Sequence, residues 1–143
     1  MMKCCSCTTS SPTKVMHAWW LLKIVYGGLF VVAGADKFFN MITPWSKYAS
    51  PMIFQHVTID PTMLIQGVGI LEVLIGIMIL GCATRLGAHL AALWLLIVAA
   101  NLITMGYPYD IAVRDIVMAV GACVLGCLSA SKSEVVVTQQ PPR

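Results

Sequence analysis

Charge is scarce in this sequence. Asp, Glu, Lys and Arg together make up 10% of its 143 residues, against about 25% in soluble domains. No run of Lys and Arg occurs, and the formal net charge is only +3. A nucleic-acid role is excluded on that ground. The six cysteines do not form the framework of a small secreted disulfide protein, because Cys4, Cys5 and Cys7 crowd a polar head while Cys82, Cys123 and Cys127 lie in apolar segments. No small-residue cleavage site ends the first apolar run, so a cleaved signal peptide is not expected. His17, His56 and His89 do not fall on facing helices at one depth, which leaves no paired-histidine haem site. No internal repeat is present.

Apolar residues fill the space that charge leaves. They account for 59% of the chain, and mean hydropathy is +0.85. This composition belongs to an integral membrane protein. Four segments reach the roughly 20 apolar residues that cross a bilayer. They run from about Ala18 to Phe39, Met63 to Ala83, Leu86 to Met105 and Asp110 to Leu128. Helix is the expected state, since an open strand leaves its backbone unsatisfied in lipid. The expected fold class is therefore an all-α membrane protein, four transmembrane helices in an antiparallel bundle. Residues 1–16 form a flexible Cys-containing head, 17–129 the transmembrane domain, and 130–143 a disordered tail.

The connections differ in length. A few residues around "TRLG" join the second and third segments in a tight hairpin, and "GYPYD" is a Gly/Pro turn before the fourth. The first loop, about residues 40–62, is longer and holds Trp45, Tyr48 and Phe54, which suit the headgroup region. With both ends inside, six cations (Lys3, Lys14, Lys23, Arg85, Lys132, Arg143) face the cytoplasm and three (Lys37, Lys47, Arg114) face out. The excess of inner cations favours N-in/C-in. A multi-pass protein of a bacterial inner membrane is the expected setting.

Glu72 stands out inside "GILEVLIGIMILG" (69–81). An ionised carboxylate at the bilayer centre costs at least ~2.5 kcal/mol. On the second segment, Ile65, Gly69, Glu72, Gly76 and Ile79 share one helical face. On the first, Lys23, Gly27, Phe30, Gly34 and Lys37 do the same. Glycines on both stripes favour close helix approach, so Glu72 is expected to face the bundle interior near mid-depth. Asp36, Lys37, Asn101, Arg114 and Asp115 fall in the outer half of the other three segments. Lys37 and Arg114 are the cations available to Asp36, Glu72 or Asp115, and the pairing is open.

Each of these residues has a plainer reading. Asp36 with Lys37, and Arg114 with Asp115, sit where helix-end anchors belong. Asn101 fits interhelical glue, Lys23 fits a side chain snorkelling inward, and His89 fits the interface. Cys123 and Cys127, one turn apart, fit packing positions. "CCSC" holds a Cys-x-x-Cys that could bind a soft metal or cycle redox, but no second ligand pair follows, and no metal site is assigned. Glu72 differs, because intramembrane carboxylates default to function. Without a cation it would sit protonated, and a carboxyl that changes protonation near the midplane suits proton-coupled redox chemistry.

The stretch "GGLFVVAGADKFF", the run Glu72, Gly76 and Gly81 with the "TRLGA" exit, and the opening "YDIAVRDIVMA" resemble the DoxX-like family of small four-helix membrane proteins. That resemblance covers about residues 20 to 128 and implies a four-helix membrane fold. It also implies a link to quinone-dependent redox or sulfurtransferase systems for some members. The Cys-rich head is not part of the family pattern. On this reading the chain is a membrane subunit of a quinone-linked redox system. Glu72 exchanges protons as the catalytic group, Lys37 and Arg114 hold anionic character, and Asn101 and Asp115 orient a bound quinone or those cations. The partners this implies are the lipid bilayer with a redox protein or further copies of the chain. Alternatives are a non-catalytic anchor or assembly subunit, or a small permease. Whether the chain alone is an enzyme is left open.

Overall fold

The computed structural model describes residues 12–41, 45, 60–106 and 109–138, and among them every regular element longer than one residue is helical. The helices are α1 (Pro12–Phe39), α2 (Pro61–Leu80), α3 (Thr84–Thr104) and α4 (Tyr109–Thr138). Each contains a stretch long and apolar enough to cross a membrane. α4 continues past Leu128, where the apolar pattern ends.

Local chemistry sets the helix ends. Asn40 adopts a left-handed φ of 50° and returns its N–H to the Asp36 carbonyl at 2.6 Å, which stops α1. Asp60 caps α2 through its side chain, accepting from the Thr62 N–H at 2.8 Å, with Pro61 in the first turn. Thr84 bridges the short turn between α2 and α3, its hydroxyl donating to the Ile79 carbonyl at 2.9 Å. Gly106 closes α3 at a φ of 69°, a conformation that suits a residue without Cβ.

α1 and α2 pack through their glycines. A Cβ on Gly34 would lie 2.6 Å from the Gly69 carbonyl oxygen, and one on Gly76 would lie 2.9 Å from the Gly27 oxygen. The two glycine stripes read from the sequence thus face each other, and residue numbers run in opposite directions along the seam. α3 and α4 form a second close pair, lined by Ala88, Ala91, Ala92, Ala119 and Ala122, each no more than 5% exposed.

The two pairs pack together most fully toward one end. One core cluster draws on all four helices, with Trp19, Tyr26, Ile79, Ala88 and Leu125 among its members. There Trp19 Nε1 donates to Ser129 Oγ at 2.8 Å and the Tyr26 hydroxyl donates to the Met118 carbonyl at 2.8 Å. Lys23 does not reach for water. It is buried, donates to the Gly81 carbonyl at 2.8 Å and lies against the rings of Trp19 and Trp20. Toward the other end, Ala99, Leu102 and Ala112 form a separate cluster of α3 and α4 alone. The outward faces carry Leu21, Ile24, Val32, Leu74, Ile77, Leu93, Val113 and Val117, all exposed. Apolar outside and charged inside is the arrangement a bilayer demands. Cys123 and Cys127 are on this outer surface and not in the core.

Candidate functional site

Where the helix pairs part, a cleft of ≈ 600 Å³ opens, and all four helices line it. Leu29, Ile65, Val68, Val98 and Met118 are among its apolar walls, and Lys37, Glu72, Asn101, Arg114 and Asp115 all contribute to its lining. The five residues singled out from sequence therefore share one cavity.

The open question of pairing has a definite answer. Lys37 Nζ contacts Glu72 Oε2 at 2.5 Å, and the two residues are 7% and 8% exposed. α1 presents Lys37 beside Gly69, so the absent side chain on α2 lets the ammonium reach Glu72 one turn away. Trp94 on α3 donates from Nε1 to the other carboxylate oxygen at 3.2 Å. Glu72 is held from two directions, by a cation and by an indole. Lys37 is thus the cation that the sequence left open for Glu72.

Asp36 and Lys37 do more than end a helix. Both are buried. Asp36 accepts from Trp45 Nε1 at 2.7 Å and from the Met41 N–H at 3.0 Å. The Trp45 ring in turn covers Lys37, with Nζ 3.8 Å from its centroid, a cation–π geometry. Asp36, Trp45, Lys37, Glu72 and Trp94 form a continuous chain from the end of α1 to α3. Trp45 is half-buried over the ion pair; Tyr48 and Phe54 lie outside the described residues.

α4 supplies the opposite wall. Asp115 is 5% exposed, while the Arg114 side chain is 64% exposed and approaches Asp115 Oδ1 only to 3.3 Å. Asn101 is half-buried in α3 and its amide lies 3.9 Å from the Met105 sulfur. Among the described residues no group of His, Cys, Asp and Glu is arranged to hold a metal; Cys4, Cys5 and Cys7 lie outside those residues.

Sequence reasoning gave neither tryptophan a place in the site: it set Trp45 in the headgroup region and left Trp94 out. Trp94 had a usable signal, since it shares a helical face with Asn101 two turns on. Trp45 had none, because only the fold of the loop brings it over Lys37.

The family model described as DoxX matches residues 18–105. The chain belongs to the DoxX family. The match spans most of α1 with all of α2 and α3, and includes Lys37, Glu72, Trp94 and Asn101. The likeness read in "YDIAVRDIVMA", with Arg114 and Asp115, lies beyond it. No curated protein and no solved structure matches the chain. Family, four apolar spanning helices and apolar exterior together make it a multi-pass integral membrane protein.

Proposed function

We propose that this DoxX-family chain is the membrane subunit of a redox system, and that its cleft receives a quinone or a similar lipid-soluble reduced compound. One observation carries the reading. The cleft is apolar along its walls and gathers Lys37, Glu72, Asn101, Arg114 and Asp115 at its lining, which is the construction of a site for an apolar body with a polar head. Glu72 exchanges a proton with that head, and Lys37, in contact with it, compensates the change in charge. Trp94 fixes the carboxylate, and Arg114 with Asn101 orients the ligand. Electrons pass to a redox protein partner. The orientation that fits is N-in/C-in, with the cleft in the outer half of the bilayer.

Native mass spectrometry of the protein, taken from its own membrane in mild detergent, tests this. A retained quinone or a co-purifying redox protein is the expected result. Phospholipid alone, with no quinone taken up on addition, counts against it. One observation favours a second reading. Lys37 and Glu72 already neutralise each other by direct contact, as a pair that only specifies the bundle would. On that reading the chain is an anchor or assembly subunit, and Glu72→Gln lowers stability without changing redox coupling.

A further inference from the structure

The two buried acids of the cleft are held differently. Glu72 has a partner on each oxygen. Asp115 does not. Its Oδ1 receives two long contacts, 3.4 Å from Arg114 Nε and 3.3 Å from Nη2, both beyond the ~2.7–2.9 Å of a good charge-assisted bond. Its Oδ2 accepts from no described residue. Every fully buried side-chain nitrogen and oxygen among those residues has a partner, so this oxygen is not fully buried, and Asp115 lines the cleft. Glu72 and Lys37 are its electrostatic neighbours across that space.

An acceptor in an apolar wall is costly to leave unmade and gains when a donor arrives. A ligand that fits therefore brings a hydrogen-bond donor. Lys37 and Arg114 balance Glu72 and Asp115 in the lining, so the apolar cleft has no net negative charge to offset the cost of taking in a cation, and a neutral hydroxyl is the donor that fits. We propose that the cleft selects ligands by a hydroxyl on an apolar body, and that Asp115 Oδ2 is the acceptor that reads it. This deepens the reading of the cleft as a quinone site. A hydroquinone offers hydroxyl donors, whereas the oxidised quinone offers only acceptor oxygens that a carboxylate repels. The site accordingly prefers the reduced form.

The test uses the full chain in mild detergent and two probes that share one apolar body, 4-decylphenol and 4-decylanisole. Titration calorimetry is run with each, and with a decyl-substituted benzoquinone and its hydroquinone. The wild type is expected to bind the phenol at least about tenfold more tightly than the ether, the range for a hydrogen bond to a charged group. Asp115→Leu is expected to erase that ratio without weakening ether binding. Asp115→Asn keeps the shape, replaces one acceptor by an amide donor and shifts the ratio toward the ether, which decides the matter should the Leu variant not fold. Equal wild-type affinities, binding of neither probe, or a ratio that survives both substitutions overturns the proposal. The quinone reading fails separately: a clear phenol preference with neither quinone nor hydroquinone bound removes it and keeps Asp115 as the reader of the hydroxyl. Quinone binding without a phenol preference does the reverse.

Discussion

At the scale of the residue, the Lys37–Glu72 contact dominates. Two charges in a buried site satisfy each other, and removing one leaves the other exposed to the full cost of its burial, about 3–5 kcal/mol in soluble proteins. Lys37→Met is expected to lower thermal stability in detergent by an amount of that order. Lys37→Met combined with Glu72→Leu is expected to recover most of it, because an apolar pair of similar size needs no partner. Trp94→Phe removes one longer bond, at 3.2 Å, and is expected to cost less than Lys37→Met. Scanning fluorimetry of the variants gives the ranking, and a double variant no more stable than Lys37→Met would sink the account. The sequence exposed both members of the pair, since each lies on a glycine-bearing face. It could not pair them. Lys37 and Arg114 were equally available, and only the offset between α1 and α2 brings the Lys37 ammonium to mid-helix on α2.

At the scale of the element, the α1–α2 seam is set by missing side chains. A methyl on Gly34 would meet the Gly69 carbonyl oxygen at 2.6 Å and the Val73 nitrogen at 2.9 Å, whereas one on Gly28 or Gly67 meets nothing within 4 Å. Gly34→Ala and Gly69→Ala are expected to force the helices apart and destabilise by about 1–3 kcal/mol. Gly28→Ala and Gly67→Ala are expected to be neutral or to stabilise by up to about 1 kcal/mol through helix propensity. Thermal midpoints of the four single variants separate close approach from a general need for glycine; equal effects at all four would refute the seam. This part of the fold was legible from spacing alone, because a stripe repeating every three or four residues marks a face whatever lies opposite. The division into two pairs was not. The short "TRLG" connection points to α2 and α3 as the natural hairpin, yet the closest seams are α1 with α2 and α3 with α4. Glycine and alanine on those faces outweigh proximity along the chain.

At the scale of the whole molecule, the bundle has a closed end and an open one. Trp19 with Ser129, Tyr26 with Met118, and Lys23 with Gly81 tie the closed end. In the N-in/C-in orientation proposed above, that end lies on the cytoplasmic side. Cys82, free and exposed in the turn beside Arg85, reports on it. In a variant keeping Cys82 as the sole cysteine, a membrane-impermeant maleimide is expected to label inside-out vesicles and spare intact cells. The opposite pattern would invert the topology and put the cleft in the inner leaflet. Composition made the membrane setting legible at once. The cleft was not, because no pattern in four apolar segments says which ends stay apart.

The order of the Lys37–Glu72 pair along the chain has a consequence for biosynthesis. Translation delivers the N-terminal part of a protein first. Lys37 is therefore in place before Glu72 leaves the ribosome, and the glycine seam that joins their helices is complete within the first two spans. An acid that would be expensive to insert alone meets its counter-ion as it enters. The third and fourth helices then arrive at a hairpin in which Lys37 and Glu72 are already side by side, and they add the Trp94 indole and the second wall of the cleft.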